Sequence, residues 1–346
     1  MKIFPKQCLA LLIPLLFISC VSKKVEVPVM KTDKLATTPV TPIMKMRAEY
    51  IRERVFSKCA ASAVFISHQT ITLYYGRTDE LAERCSILGF TDVLVLFDTQ
   101  KDSNDLDSFI KSLDNAKINV WLYIDSPSLY SGNEFLTTLL ASVNKFRNEH
   151  PSLKGLLIYQ RPDLIFGPGR RYTSHILYHW DDDSYGKGKD NDLLMKSALD
   201  IAEKFRKAFP PEFEIAQMLS PFYDSRIKDG SLVHGSTSDF MKICSKVCIA
   251  AYFSDRFQIE ENIQTPLQNI KSPASAFVAV RTYVDIYGGA DKEKSLSDKS
   301  WFKLTKDLES VLKTAGDFKS FRGIAFYDYY GLEKMWEKPE TSPTTK

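Results

Sequence analysis

Eight short apolar runs recur along the chain, separated by stretches with helical periodicity. The runs are 63–68, 92–98, 119–125, 155–160, 214–220, 247–252, 276–281 and 323–328. Most are continuous in apolar character, as in Val93-Leu94-Val95-Leu96-Phe97, rather than alternating apolar with polar. A strand covered on both faces needs apolar side chains on both, the condition of a parallel sheet wrapped by helices. Helical stretches lie at 79–88, 105–113, 135–146, 193–209 and 302–313. In the first, Leu81, Ala82, Cys85 and Leu88 fall at helical spacing, and Gly89 is placed to cap the helix C-terminus.

Eight strands with helices between them, over about 275 residues, match the length of a (β/α)8 barrel. An open doubly wound sheet is the alternative, but it usually has fewer strands and carries a glycine-rich phosphate loop after the first. No such loop is present. The expected fold class is therefore α/β, a (β/α)8 TIM barrel. Composition agrees: of 346 residues, 44% are hydrophobic and 26% charged, which excludes a disordered chain or a coiled coil. With 46 basic against 43 acidic residues, there is no bulk electrostatic case for nucleic acid as a partner.

The N-terminus reads as an export signal. Lys2 and Lys6 precede a short apolar stretch, Leu9 to Ile18, too short to span a bilayer comfortably. Phe17-Ile18-Ser19-Cys20 follows and resembles a bacterial lipobox, although Phe17 stands where that pattern prefers Leu. The resemblance implies cleavage before Cys20 and a diacylglycerol on its thiol. The alternatives are an ordinary cleaved signal or an uncleaved anchor. The expected organisation is a signal peptide over 1–19, a flexible tether over 20–43, the barrel over 44–336 and a polar tail over 337–346. A membrane-anchored lipoprotein of the bacterial cell envelope is expected, with the outer membrane preferred to the inner. Cys59, Cys85, Cys244 and Cys248 remain after the signal and the lipid take theirs. A Cys59–Cys85 bridge is one reading, and Cys244 and Cys248 read as free buried thiols. No CxxC pair supports a structural zinc.

Active sites in this fold lie at the C-terminal ends of the strands. Those ends hold His68, Asp98, Asp125, Gln160 with Arg161, Ser220 with Asp224, Tyr252 with Asp255, Arg281 with Asp285, and Asp328. Tyrosines accompany them: Tyr74, Tyr75, Tyr130, Tyr159, Tyr223, Tyr252, Tyr283, Tyr287 and Tyr327. Aromatic faces set among carboxylates and amides suit sugars, whose C–H faces stack while their hydroxyls hydrogen-bond.

The order of strands and the texture of the fourth and of the sixth to eighth resemble glycoside-hydrolase barrels, nearest the family-18 chitinase type. That family carries D-x-x-D-x-D-x-E on its fourth strand, with the last Glu as general acid. Here the acidic positions are Lys154, Leu157, Tyr159 and Arg161, so every carboxylate is absent. Of the M-x-Y-D on the sixth strand, Ala250-Ala251-Tyr252-Phe253 keeps the tyrosine. Gly323 and Tyr327 correspond loosely to the glycine start and terminal tryptophan of the eighth. The resemblance implies a sugar-enzyme ancestry without chitinase chemistry.

Glycoside hydrolysis needs two carboxyls about 5–9.5 Å apart. Asp98, Asp125 and Asp328 are the catalytic candidates. Gln160, Arg161, Tyr252, Arg281 and Tyr327 are the candidates for holding substrate, and Arg161 would suit an anionic sugar. Two readings stand side by side: a glycosidase acting on a polysaccharide, and a non-catalytic glycan-binding or interaction barrel. A third is a metal-dependent polysaccharide deacetylase. It rests on His175 and His179, four apart in the long connection 161–192, with Asp181, Asp182 and Asp183 after them. The H-[ST]-x-x-H of such enzymes has Ile176 in place of its Ser/Thr here, and F-D-D-G is missing. The preferred reading therefore expects no cofactor and no metal.

Overall fold

The computed structural model describes residues 38–98, 103–165, 180–181, 186–283 and 294–338. Eight strands close into a barrel in sequence order: β1 Ala61–Ile66, β2 Asp92–Leu96, β3 Asn119–Ile124, β4 Gly155–Ile158, β5 Glu214–Leu219, β6 Lys246–Ala250, β7 Ala276–Arg281 and β8 Phe321–Tyr327. Every neighbouring pair is parallel, and β8 returns to β1 with Gly323 opposite Ala61. The expected (β/α)8 barrel is present.

Helices wrap the strands. They are α1 Pro42–Arg54, α2 His68–Leu73, α3 Thr78–Leu88, α4 Ser103–Asn115, α5 Asn133–Glu149, α6 Pro162–Ile165, α7 Asp190–Ala208, α8 Tyr223–Lys228, α9 Thr237–Met241, α10 Arg256–Asn269, α11 Trp301–Ala315 and α12 Tyr329–Glu337. The C-cap Gly89 takes φ 88°, the left-handed conformation expected of it.

Each strand has two apolar faces because two cores meet on it. On β3, Val120, Leu122 and Ile124 face the helix layer, while Trp121 and Tyr123 fill the barrel interior. The interior balances large against small. Phe65, Trp121, Tyr123 and Tyr159 come from β1, β3 and just beyond β4, while β5 to β8 offer Ala216, Ala250, Ala279 and Ala325. At Gly155 a Cβ would fall 2.1 Å from the Glu214 carbonyl oxygen, so the approach of β4 to β5 requires glycine there.

Two helices carry a weak pattern in the sequence: α1 is rich in charged residues, and α10 holds Pro266 in its interior. The N-terminal helix is fixed by hydrogen bonds instead. Thr41 Oγ1 caps it by accepting from Met44 N at 3.2 Å. Buried Arg47 donates to the carbonyls of Trp336 and Lys338, both at 2.7 Å, and Trp336 Nε1 donates to the Met44 carbonyl at 2.7 Å. Arg84 on α3 pairs with Glu333 at 2.9 Å and Glu337 at 3.1 Å, and donates to the Thr38 carbonyl. Ordered contacts thus begin some residues before 44. Together α1 and α12 cover the seam where β8 meets β1.

Cys59, Cys85, Cys244 and Cys248 are all free thiols, which corrects the reading of a Cys59–Cys85 bridge. Desolvation by burial dominates the Cys59 thiol pKa and pushes it up to about 11, so it is a protonated packing group. Among the described residues, no helix is long and apolar enough to cross a membrane.

Candidate functional site at the barrel mouth

Alternation along the strands decides what reaches the mouth. On β4 and its continuation, Leu157 and Tyr159 point into the barrel, and Arg161 is next in that series. These are three of the positions at which the family-18 pattern carries acids. The barrel interior here receives a leucine, a tyrosine and an arginine instead.

Four tyrosines build the floor of the mouth. Tyr159 and Tyr327 stack with centroids 5.0 Å apart, Tyr252 and Tyr327 at 5.8 Å, and Tyr123 lies 5.8 Å from Tyr159. The Tyr159 and Tyr252 hydroxyls are 3.2 Å apart. Burial, together with neighbouring phenols and carboxylates, pushes the pKa values of Tyr123, Tyr159 and Tyr327 upward. They are neutral phenols with hydroxyls for hydrogen bonding and faces for stacking.

Arg161 is buried against this floor. Its guanidinium lies 5.6 Å from the Tyr252 ring centroid, and its Nη2 is 3.3 Å from Asp163 Oδ2. Tyr223 also donates to Asp163, at 2.5 Å. Burial works against the arginine's charge, but Asp163 and the surrounding oxygens outweigh it and raise its pKa. Arg281 ends β7 opposite Tyr327 in the strand register, and its charge acts on Tyr252 together with that of Arg161.

The three candidate acids differ. Asp328 is buried and caps α12, accepting from Gly331 N at 3.3 Å and from the Ser67 hydroxyl. Burial raises its pKa, against the pull of those donors. Asp125 is exposed at the end of β3 and accepts from Gln160 Nε2. Both act on the Tyr327 phenol, so both stand at the mouth. Asp98 is exposed two residues past the inward-facing Leu96, at the outer rim. Gln160 is buried and serves the scaffold as well as the mouth, since Gln217 Nε2 donates to its carbonyl at 3.1 Å.

The structure thus gathers Asp125, Gln160, Arg161, Tyr252, Arg281, Tyr327 and Asp328 at one end of the barrel. Tyr74 is a correction: its phenol donates to Glu333 in the helix layer, away from the mouth. Asp224 is another, for it accepts from Thr237 N at 3.0 Å and ties α8 to α9. Sequence reasoning missed Tyr123, Asp163 and Ser67. Tyr123 had a usable signal, lying two residues before Asp125 and hence on the same face of β3. His175, His179, Asp182, Asp183, Asp285 and Tyr287 lie outside the described residues. Among the described residues, no group of His, Cys, Asp and Glu is arranged to hold a metal ion.

The barrel is similar to that of the spore cortex-lytic enzyme SleL of Bacillus cereus, with a TM-score of 0.50 and 10% identity over 80% of this chain and 72% of that one. It is similar to a chitinase from Rhizomucor miehei at a TM-score of 0.50 and 9% identity, over 80% of this chain and 97% of that one. Identity this low shows a shared fold. No protein-family model matches the chain, and no curated protein does. The architecture shared with both is the closed (β/α)8 barrel.

Proposed function

We propose that the protein is a glycosidase-like barrel that binds a polysaccharide at its mouth without hydrolysing it by the family-18 route. The observation that carries this reading is the inward series Leu157, Tyr159, Arg161 on β4 and its continuation. A family-18 acid would stand at the third position, and a cation fixed on Asp163 neither donates a proton to a leaving group nor takes one from water. The stacked Tyr252 and Tyr327 supply the aromatic surface that a sugar ring packs on. The charges of Arg161 and Arg281, both of which act on Tyr252, favour a saccharide bearing a carboxylate or sulfate.

A second reading is hydrolysis by Asp125 and Asp328. It is favoured by the raised pKa of buried Asp328 and by the presence of Asp125 at the same mouth, where both carboxyls act on the Tyr327 phenol. Its weakness is that both Asp328 oxygens already accept protein hydrogen bonds. The lipobox-like Cys20 supports attachment of the barrel to a membrane of the cell envelope. A glycan array followed by product analysis tests the reading: ligands retained intact support binding, and shortened products support the second reading.

A further inference from the structure

Few contacts hold the Arg161 guanidinium. The residue is 8% exposed, its Nη2 meets Asp163 Oδ2 at 3.3 Å, and its Nε is buried with no hydrogen-bond partner among the described residues. The Tyr252 ring, its centroid 5.6 Å away, attracts the charge without fixing the orientation of the planar fork. Direction comes from the charge-assisted contact to Asp163. Asp163 has both oxygens engaged, for Oδ1 accepts from the Tyr223 hydroxyl at 2.5 Å. Tyr223 opens α8 and is buried, with its ring centroid 6.1 Å from that of buried Trp180. The Arg226 guanidinium lies 5.5 Å from the Trp180 ring centroid, and the neighbouring Asp181 N donates to Asn191 Oδ1 at 2.9 Å.

One buried phenol therefore touches two described stretches of the connection 161–192: Asp163 near its start and Trp180 further along. The ring packs on Trp180 with or without its hydroxyl, while the hydroxyl serves Asp163. We infer that Asp163 and Tyr223 are positioning residues: the phenol fixes the carboxylate, the carboxylate aims the Arg161 guanidinium, and the mouth's preference for an anionic saccharide depends on that relay. The inference rests on the reading of the mouth as a site for such a saccharide. Its sign is distinctive. Asp163 carries a negative charge, which repels an anionic ligand. If charge alone counted, Asp163→Asn would strengthen binding of the anion. As a positioning residue, Asp163 must weaken that binding when it is neutralised, because Arg161 loses its aim.

The probes are the hexasaccharides of galacturonic acid and of N-acetylglucosamine, titrated calorimetrically into the full chain. The readout is the ratio of the two affinities, which a loss of overall stability does not move. The inference expects this ratio to favour the anion in the native chain and to fall about tenfold in Asp163→Asn. Tyr223→Phe keeps both the carboxylate and the Trp180 contact, and the ratio should fall in the same direction by less. It decides the matter alone if Asp163→Asn fails to fold. A ratio that rises in Asp163→Asn, or stays unchanged in both variants, overturns the relay. A ratio unchanged in Tyr223→Phe alone removes the phenol from it. A native chain with no preference for the anion overturns the inference, while a loss of neutral-sugar affinity in Tyr252→Ala still upholds the mouth. No binding of either hexasaccharide overturns both.

Discussion

The Arg161 guanidinium lies over the Tyr252 ring, 5.6 Å from its centroid. In the sequence resemblance to the family-18 pattern, Arg161 falls where that pattern has its general acid, and Tyr252 matches the tyrosine of its sixth-strand motif. These two positions meet at the mouth, joined by a cation–π contact. Tyr252→Ala removes both the stacking face and that contact, and about a tenfold loss of saccharide affinity is expected by calorimetry. Arg161→Gln should weaken an oligogalacturonate more than a neutral oligomer of the same length. Equal losses for both would show that charge is not read at this position.

Arg84 is 1% exposed and sits between Glu333 and Glu337, with Glu80 at 3.3 Å on its own helix. Arg84→Met leaves Glu333 buried without its cation. A loss of about 3–5 kcal/mol is expected, read as a lower midpoint in urea. A double variant that also carries Glu333→Gln should recover part of that loss, because the uncompensated charge is then gone.

Asp192 is buried in α7 and accepts from His234 Nδ1 at 2.8 Å and from the backbone N–H groups of Gly188, Val233 and His234, each at 3.1 Å. Burial raises its pKa, but the Gly188 N–H, the His234 side chain and the Val233 N–H outweigh that and leave it lowered. A lowered folded pKa means the contribution is fully present above the ordinary aspartate value, near pH 4, and is lost as pH falls through the folded value. The urea midpoint of the native chain should therefore drop on acidification below about pH 4. Asp192→Asn should be less stable at neutral pH and show a shallower acid decline, measured by denaturation at a series of pH values.

Cys20→Ala should leave the precursor unprocessed or release the protein from the membrane fraction, with loss of acyl labelling. Retained labelling and unchanged detergent partitioning in the variant would remove the lipid anchor from the account.

The barrel was legible because both faces of each strand are buried, which leaves long apolar runs such as Leu156-Leu157-Ile158 that only a covered parallel sheet explains. The same property hid the site. With no polar alternation, nothing in the sequence says that Leu157 faces inward while Leu156 faces the helices. Tyr74 and Tyr123 show the consequence. Tyr74 looked like a mouth residue and serves the helix layer, while Tyr123 passed as a core residue and forms the floor. The helix α1 was hidden for another reason: its place depends on hydrogen bonds from Arg47 and Trp336, partners almost 290 residues apart, as the 289-residue separation of Arg47 and Trp336 records.

The most direct test of saccharide binding without family-18 hydrolysis is to incubate the full chain with the glycans it retains on an array and to follow binding and product by mass spectrometry together. The account predicts a bound, intact oligosaccharide, lost with Tyr252→Ala and kept with Asp125→Asn. Shortened products that disappear with Asp125→Asn or Asp328→Asn would contradict it and establish these aspartates as a hydrolytic pair.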